Sequence, residues 1–292
     1  MTSEVMASRH FRAYPEFMST VASRPSTAST PDSRVGALLR HWRASRRLSQ
    51  LALSLEADVS SRHLSYVETG RSQPSREMVL RLADALDIPL RERNALLVAA
   101  GYAPKYFETG LGAPEMTQIR SAIELILKHQ EPYPAFLLDR HWNILIANQA
   151  AQRCTRFLLG ADPSEANMVR LILDPNGLRP LLVNWEETAQ DLIRHLHEQI
   201  AASPSDDRAK TLLAEALAYP DVPERLRARE IGTPTTPLLT TLFRKGDVEL
   251  RFFSTLTTFG TPHDVALEEL RIECSFPADD STAANCRALF AS

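Results

Sequence analysis

The 292-residue sequence predicts an all-α domain followed by an α+β domain with a mainly antiparallel sheet. Three observations carry this expectation. Apolar residues recur with a helical period over residues 34–100. They alternate with period two over 248–256 and again over 270–276. Between these patterns Gly101 stops a helix, and Pro104, Gly110, Gly112 and Pro114 mark a linker. The sequence divides accordingly into a disordered leader rich in Ser, Thr and Ala (1–32), a helical domain (33–101), the linker (102–114), an α+β domain (115–280) and a C-terminal tail (281–292). Met6 and Met18 are alternative starts.

Five helices fit the first domain. The first carries Val35, Leu38, Leu39 and Trp42 on one face, with Arg40, Arg43, Arg46 and Arg47 largely on the others. Ser49 caps the second, whose Leu53 and Ala57 face inward. A tight turn at Asp58-Val59 leads to a second cap, Ser60. The third helix then runs over 61–69, with Leu64 and Val67 inward and Ser61, Arg62, Ser65 and Tyr66 outward. Gly70 ends it. Pro74-Ser75 opens a fourth helix with Met78, Val79, Leu82, Ala83 and Leu86, and Pro89 opens a fifth with Leu96 and Leu97.

In the second domain a helical pattern covers 115–129. Two short apolar runs, 135–138 and 142–147, flank the polar turn Asp139-Arg140-His141 and read as a β-hairpin. Helices follow at 148–159, 185–201 and 206–218. The middle one is amphipathic through Trp185, Ala189, Leu192, Ile193, Leu196 and Ile200. Two late strands, 238–244 and 248–256, join at the turn Lys245-Gly246-Asp247, and a third covers 270–276.

Composition narrows the function classes. An apolar fraction of 44% builds cores, and a charged fraction of 24% is ordinary for a soluble protein. No apolar run approaches the roughly 20 residues of a membrane span. The first thirty residues carry Arg9, His10, Arg12 and Glu16 and no apolar stretch, so no signal peptide is expected. Cys154, Cys274 and Cys286 are too widely spaced for a zinc pattern and read as reduced thiols of a cytoplasmic protein. The net charge of -3 conceals an asymmetry: 33–101 holds 11 Lys+Arg against 7 Asp+Glu, whereas 115–292 holds 18 against 25. A basic module on an acidic body suits a polyanion partner for the first part. Catalytic signals are weak. His195 and His197 stand two apart on a helix and do not share a face for a metal. There is no Gly-rich phosphate loop and no Gly-x-Ser-x-Gly, and Asp279-Asp280 reads as solvated. No catalytic residue, metal or cofactor is expected, and the chain is not read as an enzyme.

Two short helices joined by a three- to four-residue turn suit docking in a DNA major groove. The run from Leu48 to Ser75, above all Ser49-Gln50 and Glu68-Thr69-Gly70 with Pro74, resembles the Cro/phage-repressor-like helix-turn-helix family. The resemblance covers 35–86. It implies that Gln50 bonds a phosphate, that Ser61, Arg62 and Tyr66 stand at base-reading positions beside Ser65, and that Arg71 touches the DNA backbone. It also implies an Arg43–Glu68 ion pair tying the first helix to the reading helix. Asp58 stands where the family usually has Gly, and Asp tolerates left-handed geometry. Ser54 replaces a usual Ala. Tyr66 is open to a second reading as a half-buried packing residue.

The block from Pro134 to Ala151 resembles the opening of PAS-like sensor domains, where a hairpin enters a helix through an Asn such as Asn148. Asn167 to Arg170, Asp174-Pro175, Arg179 and Asn184-Trp185-Glu186 resemble the MmyB-like regulators, which couple such a helix-turn-helix to a PAS-like ligand-binding domain. That resemblance implies a small apolar ligand such as a fatty acid. Thr236-Pro237 stands where the family usually has His-Pro. From alternation alone, Leu242, Leu250, Phe252 and Ile272 are the candidate wall of a ligand site, with a filled core as the alternative. Arg170 and Arg179 bind a ligand's acidic head or pair with Asp174 and Glu186, and Asn148 reads as a helix cap. The expectation is a cytoplasmic, sequence-specific transcription regulator, homodimeric on double-stranded DNA and responsive to an apolar ligand. The alternatives are a PAS-like half that serves only dimerisation or protein contacts, and an enzyme fused to a helix-turn-helix.

Overall fold

The computed structural model describes residues 31–227 and 238–290, and the chain divides in it into two units. One unit takes the described residues up to Gly110 together with 260–268, and the other takes 111–259 and residues from 269 onward. Most of the expected leader, with Met6 and Met18, and Thr236-Pro237 lie outside the described residues.

The first unit is helical: α1 Pro31–Ser45, α2 Gln50–Glu56, α3 Ser61–Glu68, α4 Arg76–Ala85 and α5 Leu90–Ala99. Three serines set the starts. Ser49, Ser60 and Ser75 have extended backbones, and their side chains accept from the amides of Ala52, His63 and Met78. Asp58 takes φ 49° between α2 and α3, a left-handed conformation that Asp accepts more readily than most residues. Val35, Leu39, Trp42, Leu53, Leu64, Val67, Val79, Leu82 and Leu97 share one buried core. Gly36 admits α3 close against α1, because a Cβ there would meet the Val67 carbonyl oxygen at 2.5 Å and that of Glu68 at 2.8 Å.

Residues 260–268 belong to this helical unit, although their place in the sequence puts them in the second domain. Backbone and carboxylate bonds fix them. The Val265 amide donates to the Phe107 carbonyl (2.8 Å), the Thr109 amide to the Asp264 carboxylate (3.0 Å), and the Leu90 amide at the start of α5 to the Glu268 carboxylate (2.8 Å).

The second unit comprises α6 Thr117–His129, β1 Ala135–Leu138, β2 Ile144–Ala147, α7 Gln149–Leu159, α8 Met168–Leu173, α9 Trp185–Ala202, α10 Asp207–Ala218, α11 Glu224–Arg227, β3 Thr241–Lys245, β4 Val248–Thr257, β5 Arg271–Pro277 and, at its end, the helix Asp280–Phe290. The strands form one antiparallel sheet in the order β2-β1-β5-β4-β3. Asn148 caps α7 as read from sequence. Its side chain, fully buried, accepts from the amides of Ala151 and Ala135 and donates to the carbonyls of Leu127 and Tyr133. Arg170 and Arg179 are paired, though with acids other than those expected: Arg170 with Glu215 (2.8 Å), Arg179 with Asp221 (2.7 Å).

Register decides which side chains share a face, and it corrects two expectations. Phe252 lies opposite Thr241, Leu250 opposite Phe243, Leu256 opposite Glu273, and Glu273 opposite Phe136, so these residues line one face. Leu242 pairs with Arg251, and Ile272 with Thr257 and Leu137, which places Leu242 and Ile272 on the reverse face. Alternation within a strand fixes parity inside that strand only, and strand pairing fixes it across the sheet. Beside β1 lies α6, with Ile123 and Leu127 fully buried. Residues 281–292, expected as a tail, are instead helical as far as Phe290. Cys286 and Phe290 are buried in the main core, with the Phe290 ring edge-on to Phe157 at 6.1 Å.

Candidate functional site

Two regions of the structure carry the chemistry read from sequence. In the helical unit, α3 exposes Ser61, Arg62 and His63, with Ser65 and Tyr66 half-buried beside them, while Leu64, Val67 and Glu68 are buried. Arg71 follows, exposed. Arg62 is poised rather than loose: its Nε donates to the Tyr66 hydroxyl (3.1 Å) and its guanidinium lies over the Tyr66 ring, 5.5 Å from the centroid. Tyr66 is half-buried and carries Arg62 on its ring and hydroxyl. Sequence reasoning passed over His63, whose Nε2 is 3.2 Å from the Ser72 hydroxyl on the same exposed surface.

Beneath this surface the Arg43 Nε and Nη2 donate to the two Glu68 oxygens at 2.7 and 2.9 Å. The Gln50 amide adds a third bond to Glu68 at 2.8 Å. Burial opposes ionisation of Glu68, but the bonds from Arg43 and Gln50 outweigh it and hold the carboxyl below its usual range. One buried carboxylate therefore locks α1, the start of α2 and the end of α3 into a single rigid piece.

The second region is a cavity of about 340 Å³ in the α+β unit. Its floor is the sheet face defined by Phe136, Phe243, Phe252, Ser254, Leu256, Glu273 and Ser275, and α7, α8 and α9 contribute Leu158, Met168, Ile172 and Leu192. Of the four residues read as its wall, Phe252 lines it. Leu250 lies on the same face but is buried in the core beside it, and Leu242 and Ile272 are on the reverse face. Glu273 and Ser275, the polar positions that alternate with the apolar ones of β5, face the cavity.

A polar cluster occupies part of the wall. His195 Nδ1 lies 3.3 Å from Asp191 Oδ2, one turn away on α9, an ion pair when His195 is protonated, and Arg194 also pairs with Asp191. The bond to Asp191 raises the His195 pKa against an opposing effect of burial. Burial works against the Asp191 carboxylate, yet His195 and Arg194 hold its pKa low. Trp142, with φ 66°, presents its ring edge-on to His195 at 6.0 Å and under the Arg271 guanidinium at 5.6 Å, while its indole Nε1 is buried without a hydrogen-bond partner. Glu273 has its Oε2 in the same condition. Burial pushes the Glu273 carboxyl up, against the pull of a bond from Ser254 and of the His195 charge.

Among the described residues no group of three or more His, Cys, Asp or Glu side chains is arranged to hold a metal ion, and no helix is long and apolar enough to cross a membrane.

Comparison with known families places both regions. The model of the MmyB-like transcription regulator ligand binding domain matches residues 119–289, more than half of the chain and all of the cavity lining. The chain belongs to the MmyB-like transcription regulators. A helix-turn-helix domain model matches residues 34–96, which include α2 and α3. This MmyB-like regulator is therefore a DNA-binding transcription regulator with a helix-turn-helix unit and a ligand-binding unit of PAS-like, α+β character. No curated protein sequence matches the chain. Among solved structures it is similar to the clp gene regulator ClgR from Corynebacterium glutamicum, at 22% identity over 36% of this chain and 97% of that one, with a TM-score of 0.22. It is also similar to an RNA-binding light-oxygen-voltage receptor, at 13% identity over 88% of this chain and 64% of that one, with a TM-score of 0.23.

Proposed function

We propose that this MmyB-like regulator is a homodimeric, cytoplasmic repressor or activator whose affinity for a specific operator is set by a small, largely apolar ligand held in the cavity of its α+β unit. The observation that carries the reading is that cavity: about 340 Å³ of space, walled mainly by aromatic and aliphatic side chains, inside the domain that the ligand-binding family model matches. Apolar walls suit the chain of a fatty acid as well as other alkyl or aromatic bodies, and the polar cluster decides the head group. On the DNA side, Ser61, Arg62, Ser65 and Tyr66 read base edges from α3, and Gln50 and Arg71 contact phosphates. Gln50 reaches this role from a position already braced by Glu68. A pair of such modules reads half-sites about one helical turn apart.

Native mass spectrometry of the protein as purified, followed by operator binding before and after extraction of any retained molecule, tests this. The expected result is an adduct of a few hundred daltons whose removal changes operator affinity several-fold. An empty cavity together with operator affinity indifferent to every added apolar molecule would sink the sensor reading.

A further inference from the structure

The exposed face of α3 has two flanks, and they are bordered by different pieces of chain. At about 100° per residue, Ser61 and His63 stand on opposite sides of Arg62. Glu68 lies seven residues on from Ser61 and hence on the Ser61 flank, and its bond from Gln50 brings the start of α2 to that side. The chain that follows α3 borders the other flank. There the amides of Arg71 and Ser72 both donate to the Tyr66 carbonyl (2.7 and 3.3 Å), and this fold-back sets the Ser72 hydroxyl 3.2 Å from His63 Nε2. His63 and Arg71 are exposed, and Ser72 is half-buried. Glu68 is the only acid in 61–72, and it is buried beneath, bonded to Arg43 and Gln50. The His63 flank therefore presents imidazole, hydroxyl and guanidinium groups with no carboxylate from α3 or from the loop after it.

Resting on the reading of α3 as the helix that enters the major groove, we propose that His63 and Ser72 together clamp a phosphate of the DNA strand along this flank, opposite the strand contacted through Gln50. Their donors outnumber the bond between them. A neutral imidazole has one N–H and a serine hydroxyl one O–H, and a single hydrogen bond joins the two side chains. If the Ser72 O–H donates to His63 Nε2, the Nδ1–H is left over. If the Nε2–H donates to Ser72 Oγ, the hydroxyl hydrogen is left over. Either tautomer keeps one donor to spare on a surface that also carries Arg62 and Arg71. A phosphate oxygen is an anionic acceptor and takes that donor as a charge-assisted bond. A helix in the groove has a phosphate strand on each side. Contacts on both flanks fix its position across the groove and leave Arg62 and Tyr66 between them to meet base edges.

Fluorescence anisotropy with the full-length protein at fixed salt tests this. The probes are a duplex selected by the wild type from a random-sequence pool and a scrambled duplex of the same composition. His63→Ala and Ser72→Ala are each expected to weaken binding to both duplexes by roughly three- to ten-fold, as loss of a backbone contact does. Each phosphate of the selected duplex is then replaced in turn by an uncharged methylphosphonate. At the clamped phosphate, replacement should weaken wild type and leave His63→Ala unchanged. Both side chains reach the surface, and melting curves of the two variants check that the fold is kept. Changes below about two-fold in both variants, with Arg62→Ala still weakening the selected duplex, would overturn the clamp and leave the reading helix in place. No effect from His63→Ala, Ser72→Ala or Arg62→Ala would take the reading of α3 down with it. A His63→Ala loss confined to the selected duplex would also overturn the clamp, because His63 would then be meeting a base. A scan in which wild type and His63→Ala lose alike at every phosphate would do the same.

Discussion

Two glutamates, Glu68 buried in one unit and Glu273 half-buried with its Oε2 enclosed in the other, are treated in opposite ways. Glu68 accepts three hydrogen bonds from Arg43 and Gln50 and is held ionised. Glu273 keeps one oxygen without a partner, and burial pushes its carboxyl up. The first is finished by the protein itself and stiffens the DNA-reading helices. The second is left open at the wall of a void. The same side chain is thus fully bonded in one place and keeps an unpaired oxygen at a cavity wall in the other, and the difference lies in the neighbours and not in the residue.

The contrast can be broken in several ways. The largest effect is expected at the lock. Glu68→Ala strands Arg43 and Gln50, and urea unfolding should show a loss of about 3 kcal/mol, the low end for a buried pair. The discount applies because 19% of the Arg43 side chain remains exposed. A loss below about 1 kcal/mol would mean that the lock is ornamental.

Phe252→Ala comes next. Phe252 is 4% exposed, yet one side of it faces the cavity, so truncation should cost about 2–3 kcal/mol rather than the 3–5 kcal/mol of a filled core. The same melting curves should show that an added alkyl ligand stabilises the mutant less than wild type. Full core cost with undiminished ligand stabilisation would remove Phe252 from the wall.

Arg62→Ala should leave stability within about 0.5 kcal/mol and weaken operator binding by about 1–3 kcal/mol at fixed salt. Equal losses on operator and scrambled DNA would turn Arg62 from a base reader into a phosphate contact.

The smallest effect is expected at Glu273. Glu273→Met should unfold within about 1 kcal/mol of wild type, on the more stable side, because an unpaired acceptor is exchanged for an apolar group. pH separates the two glutamates further. The folded pKa of Glu68 lies below the ordinary 4.5, so its contribution is present above that value and is lost as pH falls through it towards the lower folded value. The folded pKa of Glu273 lies above 4.5, so its contribution is full below that value and drains away as pH rises through the folded value. Removing each carboxyl should therefore flatten opposite limbs of the stability curve. Parallel changes from both variants would erase the distinction.

The lock was far more legible in the sequence than the cavity wall. Ser49, Ser60 and Ser75 are local signals, and each caps a helix where the spacing requires it. Asp58 is legible because few residues accept a left-handed backbone. The cavity depends on information that no single strand contains. Glu273 and Ser275 alternate with Ile272 and Cys274 and therefore look like the wet side of β5. Pairing with β4 and β1 turns that side toward Phe252 and Phe136 instead. Leu242 and Ile272 were misplaced for the same reason. The helical character of 281–290 was hidden by weak local periodicity, since Cys286 and Phe290 earn their burial from partners far away in sequence, such as Phe157.

Gly36 has a consequence for the genetics of this chain. A Cβ there would strike the carbonyl oxygens of Val67 and Glu68 at 2.5 and 2.8 Å, and these are backbone atoms that no rotamer change can move aside. A single methyl group would therefore act as a wedge driven between α1 and α3. A Gly36→Ala allele should leave the cavity untouched while throwing the reading helix out of alignment. Under the ligand-sensing function proposed above, cells carrying it would hold a regulator that still binds its ligand and has lost the means to act on DNA.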